Sequence, residues 1–262
     1  MIKLIATDMD GTFLRDDLTY DEARFAKLQP QLRRHGMRFV VASGNQYFQL
    51  RSFFKAYPDT IYLAENGAYI RDQKQIYALH SFTSIAVHQI LAKLVTLPDL
   101  NIIVCGQRSA YILASVAPTY ITKMRQYYYE LAVVPNFDQL NDHIVKFALG
   151  CPPAKTAALV AELQQLLAGL AEPTSSGHGD IDLIQPGMNK AAGLRELGQI
   201  LGIELAEMVA FGDGGNDLEM LREVGLGVAM QNAQPEVAAV AAARTTTNQT
   251  QGVLAYLETL LA

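Results

Sequence analysis

Apolar positions along the chain fall into two alternating periods. Ile2 to Met9 is a short run rich in β-branched residues, followed by Gly11-Thr12 and then by Phe25, Leu28 and Leu32 at helical spacing. That pattern predicts strand, loop, helix. Thr19 with Glu22 three residues later matches a capping box and Gly36 a helix stop, while Pro30 is expected to disturb the middle of that helix. The cycle repeats: Met37 to Ala42 predicts a buried strand, Ser43-Gly44-Asn45 a turn, Gln46 to Tyr57 a helix, and Ile61 to Ala64 a third strand. In the closing third, helices are predicted over Lys190 to Leu201, Asp217 to Val224 and Gln251 to Leu261, with Pro235 opening a further alanine-rich helix. Strands are predicted between them over Met208 to Phe211 and Leu226 to Met230. Strand-helix alternation with apolar strands implies a doubly wound, Rossmann-like α/β fold, a parallel sheet covered on both faces.

The middle follows another pattern. Helices are predicted over Ser84 to Leu97, Thr119 to Glu130 and Ala154 to Leu170, a pair of strands over Asn101 to Cys105 and Ala110 to Ala114, and single strands near Ile144 to Leu149 and Ile181 to Ile184. Hairpin-joined strands followed by helices suggest an α+β module inserted into the parallel-sheet domain. The expected division is a core of residues 1–81 and 187–262 around an insert of residues 82–186. Of three consecutive tyrosines, Tyr127 to Tyr129, at least one is expected to be partly exposed.

Composition narrows the function classes. The chain has 262 residues, half of them hydrophobic, with 26 acids against 21 Lys plus Arg and a net charge of −5. The sequence pI is near 5.5 and the mean hydropathy +0.10. That balance argues against a nucleic-acid backbone binder, which needs a basic surface. No run approaches the roughly 20 apolar residues that span a bilayer, so a soluble cytoplasmic protein without a membrane partner is expected. Cys105 and Cys151 sit in no CxxC pattern and read as free thiols.

The candidate chemistry gathers where predicted strands end. Asp8-Met9-Asp10-Gly11-Thr12 follows the first strand, so two carboxylates project from its carboxyl end, where ligands bind in open α/β sheets; an Asx-turn at the strand end is the plainer alternative. Gly212-Asp213-Gly214-Gly215-Asn216-Asp217 follows another apolar strand and brings two more carboxylates to the same edge if both strands are parallel. Hard oxygen ligands of this kind suit Mg²⁺. The alternatives are a Gly-rich turn in which Asp217 caps the next helix, or a dinucleotide loop, which would need Gly where Asp217 stands. The Ser43 hydroxyl and Gly44 N–H can hold a phosphate at a helix start. Lys190 opens a helix against the macrodipole, which suggests an anionic partner, with a solvated lysine the commoner alternative.

Together these residues resemble the haloacid dehalogenase superfamily of phosphohydrolases, its Cof-type members with an α/β cap, over the whole length. Asp8 to Thr12 matches the nucleophile motif, Ser43-Gly44 the hydroxyl motif, Lys190 the lysine motif and Gly212 to Asp217 the acidic motif. Asn66-Gly67-Ala68 and Ala229-Met230-Gln231-Asn232-Ala233 look like further segments of this group. Thr7 to Leu14 and Val41 to Tyr47 look closer to the sugar phosphatases within it, including Asn45 where the wider group commonly has Arg.

The resemblance implies a nucleophile at Asp8 and an acid/base at Asp10. It implies a Mg²⁺ cofactor held by Asp8, the Asp10 carbonyl and Asp213, with Asp217 behind it or acting through water. Ser43, Gly44, Asn216 and Lys190 would hold the transferring phosphate. The insert would act as a cap that selects a small phosphorylated sugar, with His178 a candidate for its hydroxyls and Asn101, Cys105 and Gln107 weaker ones. Two other readings stay open: a phosphotransferase or phosphosugar mutase, and a non-catalytic sugar-phosphate-binding regulator.

Overall fold

The computed structural model describes residues 1–177 and 179–261. Strands β1 (Leu4–Thr7), β2 (Arg38–Ala42) and β3 (Ile61–Ala64) alternate with helices α1 (Glu22–Arg34) and α2 (Tyr47–Phe53), and an antiparallel pair, β4 (Tyr69–Arg71) and β5 (Ile76–Leu79), follows. The middle runs α3 (Ser84–Leu94), β6 (Asn101–Gly106), β7 (Ala110–Leu113), α4 (Pro118–Met124), β8 (Leu131–Val134), β9 (Ile144–Gly150), α5 (Thr156–Leu166), β10 (Glu172–Gly177) and β11 (Asp180–Ile184). The remainder is α6 (Lys190–Leu201), β12 (Met208–Gly212), α7 (Leu218–Glu223), β13 (Leu226–Ala229), α8 (Pro235–Val240), β14 (Ala243–Arg244) and α9 (Gly252–Leu261).

Among the described residues these strands form two sheets, and the chain order explains the split. One has the order β14-β13-β12-β1-β2-β3-β4-β5, parallel from β14 to β3. Its β1 lies beside β12, in the register Leu4 to Met208 through Thr7 to Phe211. The other has the order β10-β11-β9-β6-β7-β8 and is drawn wholly from the middle of the chain.

Strand alternation decides which helices cover which face. Leu4 and Ala6 pack with Leu194, Leu197, Met220 and Val237 of α6, α7 and α8. Ile5 points the other way, to Phe25, Leu50, Phe54 and Leu257 of α1, α2 and α9 and their flanks. In the second sheet, Ile102 and Val104 face α3 and α5, while Ile103 and Cys105 face the opposite way with Met124 and Tyr128. One face is thus sealed by helices, and the other turns toward the large sheet's carboxyl edge.

The structure corrects several local expectations. Helix α1 is capped by Asp21, whose side chain accepts from the Arg24 N–H at 2.9 Å, while Thr19 bonds to Asp17 instead. Pro30 does not break α1: it and Ala26, whose carbonyl its ring leaves unbonded, are both exposed, and Phe25, Leu28 and Leu32 hold the helix on the core. The helix expected over Thr119 to Glu130 ends at Met124. The three tyrosines fall beyond it, with Tyr128 buried, Tyr127 half-buried and Tyr129 exposed. Both cysteines are free thiols. No described helix is long and apolar enough to cross a membrane.

Candidate active site

The loop after β1 turns within five residues, and its sequence permits that in two ways. Gly11 has φ +74°, and a β-carbon there would run into the Asp213 carboxylate, so only glycine fits. Phe13 then anchors the loop among aromatic rings, 5.6 Å from Phe25 and 5.5 Å from Phe54 between centroids. Such pairs add about 0.5–1.5 kcal/mol beyond their buried area. Asn232, from the Ala229 to Ala233 segment, donates to the Gly11 carbonyl at 2.7 Å. The Asp8 N–H continues the ladder by bonding the Phe211 carbonyl at 3.0 Å. These contacts fix Asp8 directly opposite the loop after β12.

That second loop is organised by Asp217, which is fully buried and accepts from the N–H groups of Asp213 and Gly214, each at 3.0 Å. Its side chain makes no cap hydrogen bond to α7, and its bond to the Gly214 N–H instead closes the short helical turn Gly215–Asp217. Thr12 donates to Asp213 Oδ1 at 2.6 Å and ties the two loops together. Asp8, Asp213 and Asp217 each offer an oxygen within 4.8 Å of the others. Lys190, the first residue of α6 and fully enclosed, donates to Asp8 Oδ1 and Asp217 Oδ1, both at 2.6 Å. The anionic partner expected of Lys190 is therefore, in this structure, a pair of carboxylates.

Crowding carboxylates out of water perturbs the charge of Asp8 and Asp213. Burial pushes the Asp8 carboxyl well above its usual range, with Asp217 and Asp213 adding to the shift and Lys190 opposing it. Burial likewise raises Asp213 to about 6, with Asp217 adding, against the Thr12 hydrogen bond and Lys190. Burial would lower the Lys190 ammonium, but the Asp217 and Asp8 carboxylates reverse this and push it up. A site with more buried negative charge than it neutralises suits a divalent cation with oxygen ligands.

Asp213 sets a pH window for that suitability. Between 3.8 and about 6 the folded metal-free chain holds a proton on Asp213 that the unfolded chain has released. Its contribution to metal-free stability therefore falls as pH rises through that window. Binding a cation must expel the proton. The thermal stabilisation given by MgCl2 is expected to be larger at pH 7.5 than at pH 5, read as the shift in Tm. An equal shift at both values would remove Asp213 from the cation site.

The Ser43-Gly44 turn after β2 lies on the same edge. Ser43 Oγ accepts from the Asn45 N–H at 3.1 Å, which leaves its own proton to donate elsewhere. Asn45 in turn donates from Nδ2 to Asp10 Oδ2 at 2.6 Å, so the residue that departs from the wider group's Arg reads the acid two positions after Asp8. Loss of water contact on its cleft side raises the Asp10 carboxyl, although the residue stays exposed, and the Asn45 hydrogen bond restrains the rise. Asp8, Asp10, Ser43, Gly44, Asp213 and Asn216 all line one cleft of about 390 Å³. Its opposite wall is the middle sheet with α4 and the turn after it, and includes Tyr120, Tyr127, Lys146 and Asp182.

Lys146, Asp182 and the tyrosines of this wall were not among the sequence candidates. Of the candidates in the middle, Cys105 is buried but not on the cleft, Asn101 lines a separate hollow, and Gln107 stands in the turn after β6. His178 lies outside the described residues.

The comparisons with known proteins agree with one another. The model for haloacid dehalogenase-like hydrolases matches residues 5–257. The chain is 41% identical over 261 residues to the 5-amino-6-(5-phospho-D-ribitylamino)uracil phosphatase YbjI of Escherichia coli, covering 99% of this chain and 96% of that protein. It is 26% identical over 271 residues to the phosphatase of the same name, YitU, from Bacillus subtilis, covering 97% and 96%. A crystal structure of SMU.1108c from Streptococcus mutans superposes with a TM-score of 0.94 at 31% identity, covering 100% of this chain and 99% of the other.

Proposed function

The chain belongs to the haloacid dehalogenase-like hydrolase family, as a Cof-type phosphatase, and from that premise we propose that it hydrolyses small phosphorylated sugars or sugar alcohols, with Mg²⁺, through a phosphorylated Asp8. The observation that carries this is the joining of Asp8, Asp213, Asp217 and Lys190 at the carboxyl edge of adjacent strands, with Asp8 and Asp213 opening onto a single cleft and Asp217 and Lys190 buried behind them.

In this reading residues 1–81 and 187–262 form the phosphatase core and residues 82–186 the cap. The separate sheet drawn from the middle of the chain supports that division. Asp8 is the nucleophile: its carboxylate oxygen forms a bond to phosphorus as the bond to the leaving oxygen breaks. Asp10, with a carboxyl raised toward the protonated form, gives its proton to that oxygen. Asp10 then takes a proton from water as the water attacks phosphorus, and inorganic phosphate leaves with Asp8 restored. Ser43, the Gly44 N–H and Asn216 orient the phosphate oxygens, and Lys190 holds the Asp8 carboxylate in its attacking position. Asp8, Asp213 and the Asp10 carbonyl would hold Mg²⁺, with Asp217 behind them, and the ion would offset repulsion between Asp8 and the phosphate dianion.

On the far wall Tyr120 and Tyr127 present apolar faces with polar tips, and Asp180 and Lys123 add charged groups, a lining suited to a hydroxylated leaving group. The substrate in the names of the two relatives joins a phosphorylated ribityl chain to a uracil ring, and the tyrosines offer such a ring a stacking surface. Free thiols and a substrate of this kind support a cytoplasmic location.

The test is release of inorganic phosphate from hexose, pentose and ketose phosphates, the ribitylaminouracil phosphate, flavin mononucleotide, pyridoxal phosphate and nucleotides, with Mg²⁺ and with chelator. Release that needs Mg²⁺ and is fastest from sugar or polyol phosphates is expected. Isomerised sugar phosphate without free phosphate would establish a mutase, and binding without release a regulator.

A further inference from the structure

Lys146 is a cation that the middle sheet sends into the other half of the molecule. It stands on β9, 2% exposed, and its Nζ donates to the Gly44 carbonyl at 2.5 Å. The same nitrogen lies 2.9 Å from Glu65 Oε2 and 3.2 Å from either oxygen of Asp182 on β11. Asp182 Oδ2 also accepts from Asn66 Nδ2 at 2.7 Å, and Asn66 Oδ1 accepts from Asn216 Nδ2 at 3.3 Å. A continuous polar path thus runs from two strands of the middle sheet to both the Ser43-Gly44 turn and the Gly212 to Asp217 loop.

Gly44 explains why such a path is useful. A β-carbon at Gly44 would lie 3.0 Å from Asp182 Oδ2 and 3.2 Å from the Asn66 amide, so a glycine lets the two halves approach this closely. A glycine is also the residue least able to hold its own backbone direction. The carbonyl that Lys146 grips belongs to that glycine, which itself lines the cleft.

Apolar residues could hold the two halves together without taking charges from water, a step that is costly unless every partner is met. Burial works against the Lys146 ammonium, and Asp182 and Glu65 more than compensate, so it stays charged.

We propose that Lys146 and Asp182 are positioning residues for catalysis: Lys146 fixes the Gly44 backbone, and Asp182 fixes Asn216 through Asn66, so the phosphate-binding groups are aligned only while the middle sheet is seated on the core. This rests on the reading of Gly44 and Asn216 as phosphate ligands. The leaving group plays no part in it, which gives the test its discrimination.

The variants are Lys146→Met, Lys146→Arg and Asp182→Asn, each compared with the unaltered chain. Two substrates of unlike leaving group, a hexose phosphate and p-nitrophenyl phosphate, give kcat and KM, and thermal shift with inorganic phosphate plus MgCl2 gives phosphate binding without turnover. Lys146→Met is expected to lower kcat/KM by about tenfold or more, and by the same factor for both substrates. Phosphate affinity should fall, and Lys146→Arg should recover part of both. Should Lys146→Met fail to fold, Asp182→Asn, which keeps an acceptor for Asn66, is read in its place with the same expectation in smaller degree. Unchanged phosphate affinity, a loss confined to one substrate, or a loss that follows only the folded fraction overturns the proposal. If the unaltered chain releases no phosphate from any substrate, the phosphatase reading falls; loss of phosphate binding in the variants then still decides the alignment.

Discussion

Replacing Asp8 with Asn is expected to abolish phosphate release while leaving the fold intact. The loss in kcat should be on the order of 10⁴-fold or more, the scale seen when a covalent nucleophile is removed. Stability should hardly change, because the substitution removes a charge that its surroundings disfavour: burial and two neighbouring carboxylates already push the Asp8 carboxyl toward its neutral form. The Asn oxygen can still accept from Lys190, so the ammonium keeps both partners. Phosphate release and urea denaturation on the same preparation check both parts. Activity within tenfold of the unaltered chain would remove Asp8 from the role of nucleophile.

Lys190→Met should behave in the opposite way, losing stability as well as activity. The ammonium is enclosed between two carboxylates, Asp8 and Asp217, and its removal leaves both without their counter-charge. Breaking a buried pair from one side costs about 3–5 kcal/mol. At pH 5 the cost should shrink, because Asp8 can take up a proton in place of the lost cation. Lys190 itself stays protonated across this range, since its raised pKa lies far above it, so the change comes from the carboxylates. Urea midpoints at pH 5 and pH 7.5 give the comparison. A loss below about 1 kcal/mol at pH 7.5 would mean the carboxylates find water or another donor once the lysine is gone.

Much of the large sheet was legible because its strands are buried on both faces and read as apolar runs. The middle and the edges were harder. Strand β10, Glu172–Gly177, is polar, contains Pro173 and carries no strand pattern; it forms because β11 offers a free edge, where proline is tolerated. The β4 and β5 pair is two short segments joined by a turn in which Asp72 Oδ1 accepts from the Lys74 and Gln75 N–H groups. That turn chemistry is local to Asp72–Gln75 and stands in the sequence, but the two strands it joins are too short to show a period of their own.

The candidate site divides the same way. Asp8, Asp10, Ser43, Asp213 and Lys190 could be named because each follows or opens a predicted element at one sheet edge. Lys146, Asp182 and Glu65 could not, because what brings Lys146 to the Gly44 carbonyl is a contact across 102 positions of chain. Its residue type and spacing carry no motif, and only the seating of one sheet on the other gives it a purpose.

The position of β1 beside β12 has a consequence for how the protein is made. At about 5–20 residues per second, roughly 6–26 s separate the emergence of β5 from that of β12 on the ribosome. Through that interval β1 has one bare edge in an apolar strand, the kind of template that invites pairing with a second nascent chain. The middle sheet, whose strands are close in sequence, can fold meanwhile. The half-built large sheet must wait. Chaperone dependence and aggregation during synthesis should therefore concentrate in chains arrested between residues 80 and 208, before the last catalytic loop has been translated.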